Sequence, residues 1–136
     1  MKKEKSKLKI IFRNPVYPVI IVSKDKLLSG SGIKTLALSL LNSTPQETKR
    51  HIAVIDSTGE EFWYSPEFEV LSPGFAFKRW TKKQIIDLFN ESSNSKEMQM
   101  TYSEKSLSSK KLSKIIFDVC KLINSHNERM HRTSLP

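Results

Sequence analysis

The chain is poor in the residue types that most chemistry requires. Its 136 residues include one cysteine, three histidines and four glycines. A single cysteine, Cys120, excludes an intramolecular disulfide, so nothing calls for an oxidising compartment. The histidines His51, His126 and His131 do not form a ligand box. His126 and His131 stand five apart, whereas side chains sharing a helical face stand three or four apart, and a structural zinc needs about four ligands. Glycine is too sparse for a phosphate loop. Gly30-Ser31-Gly32 precedes a helical pattern, but it lacks the third glycine of a dinucleotide fingerprint and the Gly-Lys-Ser/Thr of a P-loop. No cofactor is expected. Long apolar runs are missing as well: Val19–Val22 and Leu36–Leu41 are the densest stretches, far short of the ~18 to 20 residues of a membrane span. The N-terminal MKKEKSKLKIIFRNP has the charge but not the apolar core of a secretory signal. The expectation is a cytoplasmic protein with no membrane association.

Positive charge is abundant, and its position is informative. The net charge is +9. Residues 1–14 carry six basic and one acidic side chain, residues 15–95 nine of each, and residues 96–136 eight basic and four acidic. The excess therefore sits at the two ends. Basic ends solubilise a chain, and they also attract polyanions by counterion release.

Hydrophobic patterning divides the chain into five parts. Residues 1–7 are expected to form a disordered basic N-terminus, 8–90 an α+β core domain, 91–108 a Ser-rich flexible connection, 109–126 a C-terminal amphipathic helix and 127–136 a frayed tail. Within the core, Leu8, Ile10 and Phe12 alternate with polar residues at the period of a strand. A second strand follows Pro18, which belongs at a strand beginning or on an edge. Ile33, Leu36, Ala37, Leu40 and Leu41 have helical spacing. HIAVID, with apolar residues on both faces, reads as an interior strand. Asp56-Ser57-Thr58-Gly59 supplies a turn, and EFWY returns. Thr81 and Gln84 form a capping box, with Trp80 and Ile85 placed as a hydrophobic staple. These signals predict a small single α+β domain, an antiparallel sheet of four to six strands with two to three helices.

Two groups of residues are candidates for function. Lys78, Arg79, Trp80, Lys82 and Lys83 surround an indole with cations at a helix N-terminus, a composition suited to anions or nucleic acid; a staple with solvated lysines is the plainer account. Leu112, Ile115, Ile116, Val119 and Ile123 form one apolar face on the last helix, which either docks on its own domain or meets a partner helix, as in a homodimer. Cys120 beside that face reads as packing. Asp56, Glu60, Glu61, Glu67 and Glu69 cluster about the central hairpin without a partner base, so catalysis is not assigned to them.

The phrase VIDSTGEEFWYS resembles a hairpin found in small bacterial α+β proteins, some toxin-neutralising immunity proteins among them. The resemblance implies a hairpin and carries no functional residue. The functional expectation is a small non-catalytic protein-interaction protein, accessory or immunity-like. The alternative is a nucleic-acid-binding accessory protein using the basic ends and the Lys78–Lys83 patch.

Overall fold

A computed structural model describes residues 8–46, 49–74 and 79–134, the last six of these as backbone only. The expectations for residues 1–7 and for Lys78 lie outside the described residues. Six strands form one mixed sheet: β1 (Lys9–Ile10), β2 (Val19–Ser23), β3 (Lys26–Gly30), β4 (Ile52–Ile55), β5 (Glu61–Ser65) and β6 (Val70–Pro73). The order across the sheet is β1-β6-β5-β4-β2-β3. All pairings are antiparallel except β1 with β6, so the small α+β domain has the expected, mostly antiparallel sheet. β4 is interior, as its two apolar faces require. β2 is interior too, and Pro18 lies immediately before it, where a missing N–H costs no ladder bond.

Five helices follow or interrupt the strands: α1 (Ile33–Leu41), α2 (Lys82–Asn90), α3 (Ser93–Met98), α4 (Ser106–Ser109) and α5 (Leu112–Ser134). Strand alternation sorts the core into two layers. Val19 and Ile21 of β2 join Ile52, Val54, Phe62, Tyr64 and Leu71 on one face, closed by Leu36 and Leu40 of α1. Ile20 and Ile55 point to the other face, where Ile85, Ile86 and Phe89 of α2 meet the apolar stripe of α5. Each fully buried side chain of this size contributes about 1.5–3 kcal/mol of transfer free energy. No helix of the described residues is long and apolar enough to cross a membrane.

Of the two expectations for the apolar face of the last helix, docking on its own domain is the arrangement seen. Ile115, Ile116, Val119 and Ile123 are fully buried, and Leu112 packs against the same cluster, because the uncovered face of β2–β3 offers them an intramolecular sheet. The helix also runs to Ser134, beyond the 109–126 expected for it. The stretch 91–108, expected as a Ser-rich flexible connection, carries α3 and the start of α4. Its serines and asparagines read as linker because they are polar, yet they act as caps. Ser92 accepts from Ser95 N at 3.2 Å and donates to Phe89 O at 2.6 Å. Asn90 clamps Tyr102 through both of its backbone groups, at 2.7 and 3.1 Å.

Asn94 has the largest task in this segment. Its Oδ1 accepts from Leu27 N at 2.7 Å and its Nδ2 donates to Leu27 O at 3.1 Å. The side chain thus imitates a neighbouring strand on the outer edge of β3. Ser39 of α1 donates to Ser29 O at 2.8 Å on the same edge. An open strand edge invites pairing with other chains, and here two side chains cover it. Because both amide groups of Asn94 are committed, Nδ2 must face His126 Nδ1 at 3.2 Å as a donor. That nitrogen is therefore an acceptor, and His126 Nε2 carries the proton donated to Glu97 at 2.9 Å.

Candidate functional site

The β4–β5 hairpin organises the polar side of the molecule. Asp56 is buried, and its Oδ1 accepts from Thr58 N at 2.9 Å, Thr58 Oγ1 at 2.6 Å and Glu60 N at 3.1 Å, while Oδ2 accepts from Val16 N at 3.0 Å. Gly59 completes the turn at φ +87°, a conformation that other residues rarely adopt. Asp56 is thus a turn organiser, and Glu60 is ion-paired with Arg13. Carboxylates committed in this way are not a catalytic dyad.

The chain returns to this turn at Arg79 and Trp80. Arg79 bridges to Glu60 as an isolated β-pair and donates to Thr58 O at 3.1 Å and Thr58 Oγ1 at 2.9 Å; Trp80 N donates to Gly59 O at 2.7 Å. α2 then starts with the predicted capping box: Thr81 Oγ1 accepts from Gln84 N at 3.2 Å, and Gln84 Oε1 accepts from Thr81 N at 2.9 Å. Trp80 packs on the cluster containing Ile85. Of the basic patch, Lys82 donates to Leu107 O at 3.1 Å, and Lys83 pairs with Asp87 at 3.2 Å and Glu104 at 3.5 Å. The hydrogen bond and charge of Asp87 raise the Lys83 pKa. Arg79, Trp80, Lys82 and Lys83 are therefore neighbours in space, but each holds a protein group.

Beside this patch lies an arrangement that the sequence reading did not assemble. Glu61 accepts from two indoles, Trp63 Nε1 at 2.7 Å and Trp80 Nε1 at 2.8 Å. His51 stacks on Trp63 with ring centroids 4.1 Å apart and 14° between planes. Burial and the positive charge of Lys49 lower the His51 pKa, with Glu61 opposing them. Strand register explains the cavity that opens here. Val22 pairs with Ala53 and Ala53 with Trp63, so the three form one row across β2, β4 and β5. Ala53, the smallest of them, leaves a notch that α2 does not fill. The resulting cavity has a volume of about 180 Å³. Its apolar surface comes from Val22, Ala53, Trp80 and Leu88, all only half-buried, and Gln46, Lys49 and His51 stand among its polar groups. Period-2 alternation put His51 and Ala53 on one face. Which parts of that face stay uncovered depends on the seat of α2, which no local pattern encodes.

The remaining candidates are structural. Cys120 is buried with its thiol 3.4 Å from Val19 O, and burial pushes its pKa up to about 12, so it is an inert packing residue. Gly30 lies so close to α1 that an added Cβ would sit 3.0 Å from Leu36 Cα. Thr35 Oγ1 accepts from Ser31 N and Gly32 N at 2.7 and 3.0 Å, so the GSG segment is a packed helix entry. Asp118 gathers Tyr102 Oη at 2.7 Å, Lys110 at 2.8 Å and Lys114 at 3.1 Å. Burial raises its pKa, but these donors outweigh burial and hold the carboxyl at about 2.

α1 differs from the other long helices. Leu36 and Leu40 are buried, whereas Ile33, Leu38 and Leu41 are 51%, 60% and 54% exposed. Ile33 and Leu41 share the helical spacing of Leu36 and Leu40 but not their burial. A single helix of nine residues turns only one narrow stripe toward β2 and β3.

No protein-family model, curated protein or solved structure matches this chain.

Proposed function

We propose that this chain is a small non-catalytic protein-interaction protein, of the accessory or immunity-like kind, that docks its partner on the outer face of α1. The observation that supports this reading is that Leu38 and Leu41, three residues apart, are both exposed on the outer side of one short helix whose single charge is Lys34, with exposed Ile33 at its N-terminal flank. Exposed apolar residues scattered singly require no explanation, but a patch on one element marks an interaction surface. The chain's net charge of +9 favours a partner whose apolar contact is rimmed by carboxylates. Nucleic-acid binding through Arg79, Trp80, Lys82 and Lys83 is the weaker reading, since those side chains are already engaged with protein groups. Salt-dependent retention on mixed-sequence DNA or RNA at low ionic strength would restore it.

The test is site-specific photocrosslinking in the native cell. A photoreactive residue at position 38 is expected to give one discrete adduct, absent when the residue is placed at exposed Lys24. Leu41→Glu removes that adduct while leaving stability within about 0.5 kcal/mol, as surface substitutions usually do. No adduct from position 38, or the same adducts from both positions, overturns the proposal.

A further inference from the structure

The cavity over Ala53 has the features of a small-molecule site: an apolar body, few polar groups and a preformed shape. Three observations define what it would accept. First, its interior is apolar and includes an aromatic wall, because Val22, Ala53, Leu88 and Trp80 all border it and none is fully buried. Apolar side chains of the interior strands β2 and β4 would be covered in a closed core, as Ile20 and Ile55 one row away are. Second, the polar groups with capacity to spare are the donor-only Lys49 ammonium and two groups, the Gln46 amide and the His51 imidazole, that can each present a donor. Lys49 makes no ion pair among the described residues, and the side chains of Gln46 and His51 make no hydrogen bond among them. Third, the acidic group on the wall, Glu61, directs its two oxygens at the indole N–H groups of Trp63 and Trp80. Its oxygens are thereby turned to the indoles and not to a ligand, although its charge still acts on His51, whereas the Lys49 ammonium at the rim has no ion-pair partner among the described residues.

We propose that this cavity binds a small planar organic anion, an aryl carboxylate, with its ring against Ala53 and Trp80 and its carboxylate at Lys49 and His51. Glu61 acts here as a positioning residue: by accepting from both indoles it holds Trp80 as a wall and fixes Trp63 beneath the imidazole of His51. Among the described residues, the charged and titratable groups facing His51 are Lys49 and Glu61. An anion bound between Lys49 and His51 favours the imidazolium, so by linkage the ligand raises the His51 pKa and binds more tightly as pH falls through the titration of that ring.

The probe is benzoate, compared with its neutral and cationic counterparts benzamide and benzylamine. For a ligand of nine heavy atoms, a Kd on the order of 0.1–1 mM is expected. It is read from saturable tryptophan fluorescence of the full-length chain and from the NMR titration of the His51 ring. Benzoate is expected to bind at least tenfold more tightly than either counterpart and to shift the His51 titration upward. Lys49→Ala weakens benzoate about tenfold and leaves benzamide unchanged, and Ala53→Leu, which fills the notch, abolishes binding of both. The three-ligand comparison uses only the unmodified protein, so it decides the question even where a variant fails to fold. Preference for benzylamine, equal binding of all three, or no saturable response to benzoate up to about 10 mM overturns the assignment.

Discussion

Replacing Asn94 with alanine strips the outer edge of β3 of its side-chain partner. Asn94 is fully buried, as is Leu27, whose N–H and C=O it satisfies. The substitution leaves those two backbone groups and His126 Nδ1 without partners inside the core. An unsatisfied buried polar group costs about 1–3 kcal/mol, and water entering the vacated volume recovers part of that, so a loss of about 3–5 kcal/mol is expected. Urea unfolding followed by tryptophan fluorescence measures it. With a slope of about 2 kcal/mol per molar urea, the midpoint falls by about 1.5–2.5 M. Asn94→Asp sharpens the test. The carboxylate still accepts from Leu27 N but opposes Leu27 O and the lone pair on His126 Nδ1. The Asp variant is therefore expected to recover only part of the loss, because it restores one of the two Leu27 bonds and opposes the other. Baring the edge also exposes strand groups that pair with other chains, so Asn94→Ala is expected to self-associate with rising concentration. A midpoint shift below about 0.5 M urea, or an Asp variant as stable as the native chain, would show that the amide is not what closes this edge.

Three further outcomes follow from the same packing. Ile116→Ala is expected to cost about 2–5 kcal/mol in urea unfolding because the residue is core; a near-neutral effect would return the α5 face to the role of a partner surface. Asp118→Asn is expected to lose about 1–2 kcal/mol at neutral pH, after discounting for the exposure of Lys110 and Lys114. The Asp118 pKa is depressed from 3.8 to about 2, so the wild-type advantage is full above the unfolded value and disappears as pH falls through that window; a difference that persists at about pH 2 refutes the ion-pair account. Gly59→Ala places a Cβ 2.7 Å from Leu112 Cδ2 and 2.9 Å from Trp80 O at positive φ, so calorimetry should show a loss of at least about 2 kcal/mol, and an unchanged melting temperature would contradict this geometry.

Local pattern carried a large share of the architecture. Alternation in HIAVID and EFWY required a hairpin, and Asp56 to Gly59 were the right residues to turn it. The Thr81–Gln84 pair marked the start of α2 to the residue, since a capping box is a contact between positions three apart and is written wholly in local order. α1 was legible from its leucines for the same reason. The helices within 91–108 were not legible because serine and asparagine look alike whether they face water or cap a backbone group, and only the neighbours at Leu27 and Tyr102 distinguish the two. The last helix announced its apolar face but not what would meet it.

What the chain order by itself determined is therefore the set of elements, their turns and the sign of their faces, all of which depend on contacts a few residues apart. Tertiary structure alone decided which faces meet. It closed the α5 stripe on its own sheet, left the outside of α1 bare, and brought His51, Glu61 and Trp80 around Ala53. Those residues come from two strands and the segment leading into α2, and they meet only because the register of β4 against β5 and the position of α2 bring them together. Long-range packing of this kind leaves no periodic trace along the chain.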